Sequence, residues 1–181
     1  MFPSPCPIPI IEISMDGTLD PQRLIDLGKA LIPLRYSPNT SPALSPAMTP
    51  DNPRPHPTAH QSPFLLRGII SNSSDEGVVI LSGGLTIHTF KEFDAWDPNT
   101  APQGFKDFES AVASAARNNP APSDRNQEMK KLVEHPFFRR AHPREEHFVP
   151  IYIAAGAGSA EGDKATVLAD IHSAISIAFG A

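Results

Sequence analysis

His142-Pro143-Arg144-Glu145-Glu146-His147-Phe148-Val149-Pro150 runs directly into the apolar segment Ile151-Tyr152-Ile153-Ala154-Ala155. Imidazoles and carboxylates standing against a buried-looking apolar run suit a metal ligand or a proton relay. Neutral imidazole is the commonest protein ligand for metals, and nearby carboxylates tune its tautomer and basicity. The apolar run reads as a strand over 149–155, with His147 just ahead of it. Upstream, Gly77-Val78-Val79-Ile80-Leu81 reads as another strand, opening through Ser82-Gly83-Gly84-Leu85-Thr86-Ile87 onto His88. Two histidines near strand ends can meet at one edge of a sheet, where open α/β sheets bind ligands.

Further from this centre the pattern alternates between strands and helices. Residues 8–14 (IPIIEIS) are rich in β-branched side chains and read as a short strand. Asp20-Pro21 opens a helix, with Asp20 as its cap and Pro21 at the first helical position. Leu24, Leu27 and Leu31 follow on one face, and Pro33 should end the helix near Leu34. A short helix is expected over 86–94. A longer one over 103–117 carries Phe105, Phe108, Val112 and Ala115 on a shared face, and a third spans about 124–134, capped by Ser123 and closed by His135-Pro136. Residues 173–179 alternate with period two and read as a closing strand. Strands separated by helices imply an α/β protein.

One segment breaks the pattern. Fourteen of the 21 prolines fall in the first 63 residues, and Ser37-Pro38, Ser41-Pro42, Ser45-Pro46 and Thr49-Pro50 recur every four residues. Proline removes backbone donors and drives its predecessor out of the helical region, so neither helix nor ladder can run here. The chain therefore divides into 1–36, the first strand and helix; 37–67, a disordered or polyproline-like insertion; and 68–181, the remainder of the domain. The Ser-Pro and Thr-Pro steps suit proline-directed phosphorylation or, equally, an inert linker or sequence wrongly joined to the domain. His56 and His60 lie in this insertion and read as solvated.

Bulk properties exclude several function classes. With 181 residues the chain can bury one real core. A net charge of -5 and a pI near 5.8 argue against nucleic acid as a partner. No apolar run approaches the ~20 residues that span a bilayer, and the proline-rich start lacks the core of a signal peptide. The single cysteine, Cys6, fits a reducing compartment and reads as a passive thiol, so the cytoplasm is the expected location. There is no H-E-x-x-H, Cys-x-x-Cys, P-loop or G-x-S-x-G motif. Gly156-Ala157-Gly158-Ser159-Ala160-Glu161-Gly162 is superficially a phosphate loop and reads better as a flexible surface turn. His142, ahead of a proline in a loop, either binds a substrate carboxylate or sits exposed; Glu145 and Glu146 read as solvated or helix-capping rather than catalytic.

In HPREEHFVPIYIAAGAG (142–158), GVVILSGGLTIH (77–88) and IPIIEISMDGTLDPQRLIDLGKALIPLR (8–35) the chain resembles the class III extradiol ring-cleaving dioxygenases. The likeness is closest to their 4,5-DOPA extradiol dioxygenase-like branch. It implies a mixed central sheet flanked by helices and a non-haem metal, Fe(II) or Zn(II). The substrates implied are a catechol or other small aromatic diol and dioxygen. His147 matches a metal ligand of the branch, and His88 matches a residue at the metal that is either a further ligand or the catalytic acid/base. The family's Gly-His-Gly-type turn and Ser-x-His-Trp-like strand end have no counterpart here, so the N-terminal part of the family fold is expected to be missing. Thr89-Phe90 also replaces the usual Asn-Leu. A sheet lacking those strands would expose an edge for a second copy or a partner chain. The alternative function is a non-catalytic binding or scaffold protein derived from the same fold.

Overall fold

The computed structural model describes residues 10–35 and 78–180. The proline-rich insertion, His56, His60 and Cys6 lie outside the described residues. Helix α1 (Pro21–Ala30) starts as its sequence requires: Asp20 Oδ1 accepts the Arg23 N–H at 2.9 Å, and Pro21 occupies the first helical position. It stops at Leu31, two residues before Pro33, whose ring would clash with a helical carbonyl four residues back. The short α2 (Ile32–Arg35) then accommodates Pro33 in its first turn.

Helix α3 (Gln103–Arg117) matches its expected span and buries Phe105, Phe108, Val112 and Ala115. Helix α4 (Pro122–Lys131) begins at Pro122 rather than behind a Ser123 cap, and a 3-10 turn, Leu132–Glu134, finishes it. Then come α5 (Phe138–Ala141), a 3-10 turn at Glu145–His147, and α6 (Pro150–Ala157). Strands β1 (Ala165–Ala169) and β2 (Ser176–Phe179) pair antiparallel, with Ala165 opposite Phe179 and an irregularity between Val167 and Ala169.

Several expected elements differ. The strand expected over 149–155 is helix α6. Pro150 presets a helical first turn, and the run shows no amphipathic period because all eight residues, PIYIAAGA, are apolar. Residues 10–14 and 78–81 join no ladder, and the expected helix at 86–94 is irregular chain leading to a 3-10 turn at Phe93–Trp96. Mixed α and β structure is therefore present, but among the described residues the sheet has two strands and is not a central layer.

The core joins α1, α3, α4 and α6 around Leu24, Ile25, Phe105, Phe108, Met129 and Tyr152. Helices α1 and α6 touch backbone to backbone. A Cβ on Gly28 would strike the Ile153 carbonyl, and one on Gly156 would strike the Ile25 carbonyl. Gly156 and Ala157 thus belong to a packed helix, and the turn expected over 156–162 begins only at Gly158. Two arginines close that turn. Arg35 donates to the Ala157 and Gly180 carbonyls at 2.7 Å each and pairs with Asp163, while buried Arg125 donates to the Gly158 and Asp163 carbonyls. Cationic donors suit the unpaired carbonyls of a helix C-terminus. No described helix is long and apolar enough to cross a membrane.

Candidate functional site

Two irregular segments carry the candidate histidines, and main-chain hydrogen bonds hold them together. Leu85 N–H donates to the His147 carbonyl and His88 N–H to the Ala141 carbonyl, each at 2.9 Å. Gly84 permits this approach, because a Cβ there would meet the His147 carbonyl oxygen. The His88 and His147 rings come to 3.9 Å between centroids, inclined by 30°. His88 is half-buried and His147 exposed. Phe90 meets His88 edge-on at 5.1 Å, and Trp96 lies at 6.4 Å. The indole is fixed by its Nε1–H, which donates to the Thr89 carbonyl at 2.7 Å.

No described residue hydrogen-bonds either ring of this pair. Among the described residues their nitrogens are unclaimed, and nitrogen donors beside an aromatic wall suit a non-haem metal. No group of three or more His, Cys, Asp and Glu side chains that could hold a metal ion converges among the described residues. The neighbouring carboxylates serve other partners. Glu145 accepts from the two terminal guanidinium nitrogens of Arg139, Glu146 pairs with Arg144 at 2.7 Å, and Glu92 pairs with Arg140. Hydrogen bonding to those guanidiniums holds the Glu145 and Glu92 carboxyls below the usual range.

His142 departs from both expectations for it. It is fully buried, with Phe148, Phe138 and Phe108 centred 5.0, 5.6 and 6.1 Å away. Its Nε2 lies 2.9 Å from the Thr86 carbonyl. A carbonyl only accepts, so Nε2 carries the hydrogen. Nδ1 has no partner among the described residues. Burial, aided by nearby His88 and His147, pushes its pKa down to about 4. A neutral ring enclosed by phenylalanines cannot pair with a substrate carboxylate by charge; it fastens the main chain two residues before His88.

Beneath the pair lies a polar network that the sequence reading missed. Buried Glu109 of α3 accepts from Thr86 Oγ1 at 2.8 Å and Ser173 N–H at 2.5 Å, and its other oxygen lies 2.5 Å from His172 Nδ1. His172 Nε2 lies 2.9 Å from the Ala95 carbonyl. A signal was available: Glu109 stands four residues after Phe105 and three before Val112, within the apolar face of α3.

Residues 66–180 match the family described as the catalytic LigB subunit of aromatic ring-opening dioxygenase, a span that holds both histidine segments and the network beneath them. The chain belongs to the LigB family. A 4,5-DOPA dioxygenase extradiol-like protein of Schizosaccharomyces pombe is 36% identical over 180 residues, covering 99% of this chain and 46% of the relative. The chain thus spans about half the length of that curated relative. No solved structure matches. The LigB-family match agrees with the resemblance drawn from residues 8–35, 77–88 and 142–158, and it supports a dioxygenase-like protein.

Proposed function

We propose that this LigB-family chain is a metal-dependent extradiol dioxygenase acting on a catechol or related aromatic diol, with iron(II) or zinc(II) held in part by His147 and His88. The observation that carries the reading is the 3.9 Å pairing of two imidazoles whose nitrogens no described residue claims. When bound, a non-haem metal supplies Lewis acidity and open positions for the diol oxygens and dioxygen. His147, exposed at the rim, contributes one nitrogen. His88 is either the second donor or the base that takes the proton of a diol hydroxyl on an uncommitted ring nitrogen. Phe90 and Trp96 offer the aromatic substrate an apolar wall beside His88. His142 holds the His88 segment and does not touch the diol.

Oxygen uptake and yellow ring-opened product, followed with Fe(II) and a catechol, test this reading. The parent should turn over, and His147→Ala or His88→Ala should lower the rate by about 100-fold or more, the usual contribution of a positioned acid/base or a lost ligand. A parent that consumes no oxygen overturns it. The two-donor limit of the described residues favours one other reading, a protein that binds phenolic ligands without turnover. Calorimetry showing a bound catechol in a preparation with no oxygen uptake would select that reading.

A further inference from the structure

We propose that Glu109 is a positioning residue for the His88–His147 pair, acting through Thr86, Ser173 and His172. Only 7% of Glu109 is exposed, yet its carboxylate meets three donors, from the Thr86 hydroxyl, the Ser173 backbone and the His172 ring. Burying a carboxylate is costly unless its charge and lone pairs are matched. Packing alone would place an apolar side chain at this point of α3, between Phe105 and Val112. The polar residue is explained by what it holds.

Ser173 has a φ of 67°, in the left-handed region that side chains with a Cβ seldom adopt. Glu109 takes its N–H, while its carbonyl accepts the Thr86 and Ile87 N–H groups at 2.9 and 3.4 Å. Backbone outliers of this kind persist where surrounding contacts over-determine them, and they gather at functional sites. His172 extends the brace in the other direction. Its two ring nitrogens face a Glu109 carboxylate oxygen and the Ala95 carbonyl, so the ring links the two. Ala95 precedes Trp96, whose ring flanks His88. One carboxylate therefore reaches His88 from both sides, through Thr86 and through the Ala95–Trp96 turn.

The purpose of this brace rests on the reading of the pair as the reacting groups, but its test uses neither metal nor turnover. In the metal-free protein, the nuclear Overhauser contact between the His88 and His147 ring protons reports their pairing. The contact should be present in the parent and lost in Glu109→Leu, which keeps the volume but removes the acceptor, and in Thr86→Val. Thr86→Ser, which removes a methyl but keeps the hydroxyl, should retain it. Val112→Ala, which thins the same helix face without touching the network, should retain it as well. A merely structural role predicts the opposite ranking at position 86, because valine preserves packing better than serine. Survival of the contact in Glu109→Leu or Thr86→Val, its loss in Val112→Ala, or its absence from the parent would overturn the proposal. Should Glu109→Leu not fold, the two Thr86 variants decide alone. Failure of the oxygen assay leaves this readout intact, so the two ideas fail separately.

Discussion

Helices α1 and α6 meet glycine against backbone, whereas the two histidine segments meet through hydrogen bonds between irregular chains. At the first contact Gly28 and Gly156 leave no room for a side chain, and Leu24, Ile25, Tyr152 and Ala155 are fully buried around them. At the second, Thr86, Thr89, Glu109 and His142 are buried polar groups, and their partners are carbonyls, N–H groups and carboxylate oxygens. The difference separates two kinds of sensitivity. Close packing fails when volume changes, because a dense interior cannot relax around an extra methyl. A hydrogen-bonded site fails when a partner disappears, because the remaining group stays buried and unsatisfied.

The largest effect should therefore come from adding volume at the helix contact. Gly28→Val forces carbon into the Ile153 carbonyl and Ala157 N–H, neither of which can turn aside. A loss of about 3 kcal/mol or more is expected, at the upper end for overpacking, read as a lower urea midpoint at unchanged slope. An unshifted midpoint would mean that α1 and α6 are not in contact in solution, and the comparison would collapse.

The second effect belongs to the polar region and is driven by pH. His142 is held down to about 4 from an ordinary 6.5, chiefly by burial. As pH falls below 6.5 the unfolded chain binds a proton that the folded ring refuses, so stability is full above 6.5 and is lost progressively down to about 4. The loss should be on the order of 3 kcal/mol. His142→Phe replaces the ring with an apolar one among Phe108, Phe138 and Phe148, and its stability should lack this slope. A parallel slope in both proteins would show that the titrating group lies elsewhere.

The same division explains what could be read in advance. Helices α1 and α3 were legible because local signals agreed: a cap and proline at Asp20-Pro21, and a single apolar face from Phe105 to Ala115. Helix α6 was not, because Ile151-Tyr152-Ile153-Ala154-Ala155-Gly156-Ala157 lacks the polar face whose period distinguishes a helix from a strand. Strand β1, five residues of mixed exposure, gave no cue of its own. At the candidate site, His88 and His147 could be picked out as imidazoles bordering apolar runs. The burial of His142 could not, since His-Pro reads as a surface loop and the phenylalanines enclosing it come from three separate segments. Glu109 was visible as a carboxylate out of place on an apolar face; only tertiary structure reveals what it holds.

A smaller effect tests the local signal by itself. Asp20→Ala removes the acceptor of the Arg23 N–H at the start of α1 and should cost about 1 kcal/mol, the usual worth of an N-cap. Asp20→Asn, which keeps an acceptor, should recover most of it. If both variants lost as much as Gly28→Val, the α1 start would be fixed by tertiary contact rather than by its cap.

The smallest stability effect should fall on the most consequential residue of the proposed site. His147 is exposed, its ring hydrogen-bonds no described residue, and the carboxylates beside it are held by Arg139 and Arg144. Its backbone carbonyl, which anchors Leu85, survives any side-chain change. His147→Ala should thus stay within about 0.5 kcal/mol of the parent in thermal unfolding, as surface substitutions usually do, while metal uptake by the protein falls. Thr86→Val should behave in reverse, loosening the fold locally because it strands part of a buried carboxylate's hydrogen bonding. A residue that costs the fold little and the site much is one kept for chemistry. A His147→Ala variant that unfolded readily would instead make the ring pair a packing contact, and the case for a metal at this edge would go with it.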